Sequence, residues 1–170
     1  MKRLIVAVAI IGMWGSTTAT AVETRVQLKG CEFTVTLPEK PIMRAGRKVA
    51  AGTTASSASN VAEIRTSVPA FRIECQALSR LPPSADKALM TSAETQADSM
   101  SLSNLNITRE KTRLGHIVRF TGGQVQAQRK LVVTGVFFLG DRSILSVLAT
   151  EFEDGYPLNE VVRVFKSVSR

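Results

Sequence analysis

Residues 130–150 constrain the fold more than any other part of the chain. The first strand-like run carries Leu131, Val132, Val133, Val136, Phe137 and Phe138; the second carries Ile144, Leu145, Val147 and Leu148. Both runs are β-forming and apolar at successive positions, so side chains on both faces need cover. Gly140 and Asp141 supply the turn, and so short a connection makes the two strands antiparallel neighbours. Such a hairpin belongs in the middle of a sheet, with something packed above and below it.

The remaining patterns supply those elements. Residues 31–37 alternate, with Cys31, Phe33, Val35 and Leu37 on one side and Glu32, Thr34 and Thr36 on the other, which is a half-buried strand stopped by Pro38 and Pro41. Residues 71–77 alternate likewise and put Phe71, Ile73, Cys75 and Ala77 on one face. Residues 44–60 start basic and turn Ala-, Ser-, Thr- and Gly-rich, the composition of a flexible loop or a weak edge strand. After Leu81-Pro82-Pro83, Ser84 is a helix N-cap and Asp86 suits the dipole of the first turn. Leu89, Ala93, Ala97 and Met100 then fall at helical spacing; so narrow and Ala-rich a face packs closely on something flat. Two strands over 104–110 and 115–121 follow, with turns expected at 111–114 and at Gly122-Gly123. The chain closes with a helix that starts at Pro157 and buries Leu158, Val161, Val162, Phe165 and Val168, with Lys166 and Arg170 in its last turns. Strands, helix, meander and helix make an α+β chain, read as a three-layer α/β/α sandwich on a mainly antiparallel sheet.

The N-terminus sets the compartment. Lys2 and Arg3 precede an apolar run from Leu4 to Trp14, and small residues ending in Ala19-Thr20-Ala21 follow. That is the order of a secretory signal peptide, and the run is shorter than the ~20 residues a membrane span needs. We therefore expect cleavage after residue 21, a single periplasmic domain over 22–170, and no transmembrane span. Without Lys2 and Arg3 the mature chain holds 20 basic and 14 acidic residues. That balance suits an acidic surface or envelope protein as partner, whereas export argues against nucleic acid. A weak oligomer is also compatible with it. Cys31 and Cys75 share an oxidising compartment and both point inward, so a disulfide is expected if their strands are neighbours. Two free buried thiols are the alternative.

The layout resembles the PsbP-like fold. The likeness rests on the strand Glu32-Phe-Thr-Val-Thr-Leu-Pro38, the helix after Pro82-Pro83 and the string Leu114-Gly-His-Ile-Val-Arg-Phe120. It rests also on the hairpin from Val136 to Leu145 and the closing Tyr156-Pro157 with Phe165-Lys-Ser-Val168. The resemblance implies a binding or assembly protein rather than an enzyme, with no catalytic residues, metal or cofactor to carry over.

The residues themselves agree. His116 is the only histidine, and no serine sits in a nucleophile-elbow context. Glu151, Glu153 and Asp154 lack the spacing of a calcium loop, and Arg142-Ser143 lacks the glycines of a phosphate loop. The best candidate for a partner-binding surface is the basic stripe Arg109, Lys111 and Arg113, two residues apart in an extended segment, with Arg119 nearby. Such a stripe docks an acidic partner or anionic headgroups, and it is also the ordinary protection of a sheet edge. Three readings follow: a non-catalytic binding or scaffold protein, a small-ligand module with a pocket under the Ala-rich helix, and a hydrolase or transferase with an unfamiliar site.

Overall fold

The structure is a computed structural model and describes residues 23–45, 60–65 and 68–170. The leader at 1–21 and most of the expected loop at 44–60 lie outside the described residues. Strands β1 (Thr24–Gln27) and β2 (Thr34–Leu37) form a separate two-stranded pair, and Thr34 of β2 also bridges to Ser169. Strands β3 (Ile42–Ala45), β4 (Asn60–Ile64), β5 (Ala70–Ala77), β6 (Ser103–Thr112), β7 (Gly115–Gln126), β8 (Arg129–Leu139) and β9 (Ser143–Phe152) form one seven-stranded sheet. Its order is β3-β4-β5-β9-β8-β7-β6, and every pairing is antiparallel. The two helices are α1 (Ala85–Ser99) and α2 (Asn159–Lys166). Among the described residues no helix is long and apolar enough to cross a membrane.

The doubly apolar hairpin, β8–β9, lies at the centre of the sheet, and its two faces belong to two separate cores. On one face Val118, Phe120, Val133, Phe137 and Leu148 pack against Leu89, Ala93 and Ala97 of α1. The other face carries Val136, Phe138, Leu145, Val147 and Ala149, which meet β1, β2 and α2 through Val26, Phe33, Val35, Val161, Val164 and Phe165. This second cover is a strand pair with a short helix, where the sequence suggested a helix alone. Ser84 caps α1 as expected, its hydroxyl accepting from the Lys87 amide at 3.4 Å. The small-residue stripe lets that helix sit so close that Ala93 and Ala97 are fully buried. Directly beneath the Ala93 and Ala97 stripe the space is filled with side chains, and the open space between helix and sheet lies at the flank of α1.

Cys31 and Cys75 are joined in a disulfide, with 5.9 Å between their α-carbons and a sequence separation of 44. The expected route was two neighbouring strands. Instead, Cys31 lies just ahead of β2, and the bond crosses from the β1–β2 pair down to β5 in the large sheet. A second clamp lies beyond it. The Glu32 carboxylate accepts from the Arg142 amide at 3.2 Å and from the Ser143 hydroxyl at 3.3 Å. Glycine at 140 leaves room for this clamp, since a Cβ there would overlap the Glu32 carboxylate and push that side chain aside. Arg170 adds an ion pair to Asp141 at 3.2 Å while its guanidinium lies over the Phe33 ring.

Several boundaries move. Gly122 and Gly123 do not turn the chain; they run inside β7, paired with Val133 and Val132. Their role is close approach, because a Cβ on Gly122 would meet Leu102. The turn comes at Ala127 and Gln128, both in the left-handed region without being glycine, which is why composition did not mark it. The β6–β7 turn shrinks to Arg113 and Leu114, which puts Lys111 inside β6 opposite His116. Pro157 precedes the α2 cap Leu158 instead of opening the helix. Val164 is buried beside Val161, while Val162 is only half-buried. β1 and β4 carried too short a pattern to be anticipated.

Candidate functional site

Helix α1 is long enough to cover β7, β8 and the inner edge of β9, and it leaves the same face of β5, β4 and β3 open. The alternation of β5 dictates what that open face carries. Phe71, Ile73 and Cys75 go to the opposite core, so Arg72, Glu74 and Gln76 come up beside the helix. Glu63 of β4 pairs with Arg72 and is 2% exposed. Its carboxylate is ringed by Arg72 at 2.7 Å, Arg65 at 2.8 Å and Arg44 at 3.6 Å. Arg72 also reaches Glu74 at 3.0 Å. Guanidinium forks suit this task, since one group can serve two carboxylates at once.

Two adjoining clefts run between α1 and these strands. One, of about 290 Å³, holds Glu63, Arg65, Arg72, Gln96 and Met100 on its walls. The other, of about 320 Å³, is lined by Glu74, Gln76, Thr91, Thr95, Gln96 and Ser146. The Gln76 amide nitrogen is buried there without a hydrogen-bond partner. Sequence reasoning missed this region. The signal lay in the outward positions of the 71–77 alternation, Arg72 and Glu74, which were read only as the polar side of a strand.

The basic residues divide between two faces. Partners across an antiparallel pair point the same way, so Arg109 shares the side of Val118, and Lys111 that of His116, both on the α1 face. Arg113 follows in the turn. Arg119 pairs with Thr108 and points to the opposite face, where its guanidinium lies 5.6 Å from the centre of the Phe165 ring. The stripe therefore comprises Arg109, Lys111 and Arg113, and Arg119 instead covers α2. His116 meets Asp86 at 2.8 Å and ties the first turn of α1 to β7. That contact occupies the ring in holding the helix.

The acidic loop does not act as one group. Glu153 turns to Lys130 at 3.4 Å, while Glu151 is wholly buried under the start of α2. One Glu151 oxygen accepts the Leu158 amide at 2.7 Å and the other has no partner. Burial pushes this carboxyl above its usual 4.5, and the Leu158 hydrogen bond works against the rise. The folded state thus holds a proton that the unfolded chain has already released, so stability falls as pH rises from about 4.5 through the raised value and then levels off. Glu151→Gln keeps an acceptor for Leu158 and removes the titration. Urea midpoints between pH 4 and 8 should show the variant gaining on the natural protein as pH rises, and parallel curves would refute this account.

No protein-family model matches the chain, and no curated protein matches it in sequence. Among solved structures it is similar to LpqN of Mycobacterium tuberculosis, a protein involved in cell envelope biogenesis. The identity is 12%, the TM-score is 0.46, and the match covers 87% of this chain and 90% of that one. It is also similar to PA94 of Pseudomonas aeruginosa, a protein of unknown function, at 14% identity and a TM-score of 0.40. That match covers 82% of this chain and 90% of the other.

Proposed function

We propose that this is an exported periplasmic protein that works without catalysis, as a binding or scaffold protein acting through a protein–protein surface. We read its two cores as a three-layer arrangement similar to the PsbP-like fold, over a single mature domain from residue 22. The observation that carries the functional reading is the basic edge of the meander. Arg109 and Lys111 rise side by side from the last strand of the sheet, Arg113 extends the row, and none of the three shares an ion pair among those described. Charges placed so steer an acidic partner and set its orientation. The test is cross-linking in the native envelope with the full chain, beside a triple variant carrying Arg109→Ser, Lys111→Ser and Arg113→Ser. One adduct, lost in the variant while export and folding persist, is the expected result. An adduct of equal yield in both would move the contact elsewhere.

A second reading keeps the small-ligand module but shifts it from beneath α1 to the clefts beside it. The unpartnered Gln76 amide favours this reading, because a buried donor without an acceptor is costly and a ligand oxygen would satisfy it. Thr95→Trp would fill that cleft. A small molecule seen by native mass spectrometry in the natural protein and absent from the variant is the outcome this reading requires.

A further inference from the structure

The two edges of the sheet differ in a way that bears on what docks there. β3 is four residues long. β6 is ten residues long, exposed along nearly all its length, and its two ends are unlike. Between Ser103 and Asn106 the register shifts, and Asn104 takes a left-handed conformation, so that end cannot receive a straight neighbour. From Asn106 to Thr112 the pairing with β7 is regular. No proline interrupts the strand.

The ladder decides which backbone groups are free. A two-residue loop, Arg113-Leu114, closes on the pair Thr112 and Gly115, which must be a hydrogen-bonded pair. Such pairs alternate along the ladder, so Glu110 and Thr108 also turn their amides and carbonyls toward β7. Lys111, Arg109 and Ile107 turn theirs to the open side. The same three residues put their side chains on the α1 face, where Ile107 is half-buried and the other two are exposed cations. Each open backbone position is thus flanked by an apolar contact or a positive charge.

We infer that β6 receives a short acidic segment of a partner protein as an added strand, paired with the open backbone groups of Ile107, Arg109 and Lys111. This rests on the scaffold reading above and names its partner's chemistry. Backbone pairing supplies the attachment, and carboxylates at alternate positions of the incoming strand meet Arg109 and Lys111 across the new pair. A second copy of this chain meets like charges in the two antiparallel registers centred on Arg109 and Glu110. Antiparallel pairing centred on Arg109 sets Arg109 against itself, and pairing centred on Glu110 sets Arg109 against Lys111.

The probe is an eight-residue blocked peptide in which Glu alternates with Thr and Val, added to the mature protein with its disulfide intact. Amide hydrogen exchange followed by NMR reads the result. Protection should rise about tenfold or more at Ile107, Arg109 and Lys111, and stay unchanged at Thr108 and Glu110. The double change Arg109→Ser with Lys111→Ser should weaken the peptide by about tenfold. Arg109→Pro removes one open donor without touching the β7 ladder and should abolish binding; if that variant misfolds, the exchange pattern of the natural protein decides alone. Charge-dependent binding without selective protection overturns strand addition and leaves the scaffold reading standing. Absence of peptide binding overturns the acidic-strand inference, while the envelope cross-link still judges the scaffold reading separately. The same protection without peptide, rising with protein concentration, makes the occupant a second copy. Equal protection with phosphatidylglycerol vesicles makes it a lipid surface. Either result overturns the inference.

Discussion

Phe120→Ala is expected to lower the unfolding free energy by about 3–5 kcal/mol, the range for deleting a buried aromatic ring. Phe120 has no solvent exposure, its ring centre is 6.0 Å from that of Phe137, and it belongs to the core under α1. The ring occupies the room left by a missing side chain on the neighbouring strand. Gly135 pairs with Phe120, and a Cβ there would run into the ring. Gly135→Ala alone should therefore cost about 1–3 kcal/mol through overpacking. The two changes should not add, because alanine at 120 frees the space that alanine at 135 needs. Urea unfolding followed by far-UV circular dichroism is the suitable measurement, since the single tryptophan, Trp14, lies in the leader expected to be removed. Strict additivity would show that the ring can swing away and that the glycine serves another purpose.

Replacing Cys31 and Cys75 together by serine is expected to remove about 2–4 kcal/mol. The bond closes a long loop, so its loss releases considerable freedom in the unfolded chain. It also fastens the β1–β2 pair to the sheet, beside apolar packing, the Glu32 clamp, the Ser169 bridge to Thr34, the Ser167 hydroxyl on Thr36 and the Asn60 amide on the Lys29 carbonyl. Thiol labelling of the unfolded, unreduced natural protein should find neither cysteine free. The serine variant should keep its α1 core and exchange fastest in β1 and β2, whose amides depend most on the bond. Uniform loss of protection across the whole sheet would mean that the two cores unfold as one.

Much of the fold was legible because it depends on local chemistry. The doubly apolar hairpin required cover on both faces, and α1 and the second core supply it. Ser84 marked a helix start through its own hydroxyl. The inward cysteines were recognisable from period two. Less legible were elements whose reason lies in a distant partner. Gly122 and Gly123 look like a turn in sequence, but they are strand residues because Leu102 and Ser103 press against that position. Arg119 looked like part of a basic stripe, yet the parity of β7 sends it to the other side of the sheet, onto Phe165.

The candidate sites divide along the same line. Arg109, Lys111 and Arg113 could be picked out because strand periodicity is a short-range property, and two-residue spacing puts side chains on one face wherever the strand lies. The cleft beside α1 could not. It exists because the helix covers only part of one face, and because β4 and β5 meet the distant β9 and α1, bringing Glu63, Arg72, Gln96 and Ser146 to its walls. By itself the sequence determined the central hairpin, the α1 cap and the inward faces of residues 31–37 and 71–77, since those rest on neighbours within a few residues. Only the tertiary structure decided strand order, the crossing of the disulfide between the β1–β2 pair and the large sheet, and which side chains remain facing open space. Those depend on contacts between residues tens of positions apart, whose energies no local pattern records.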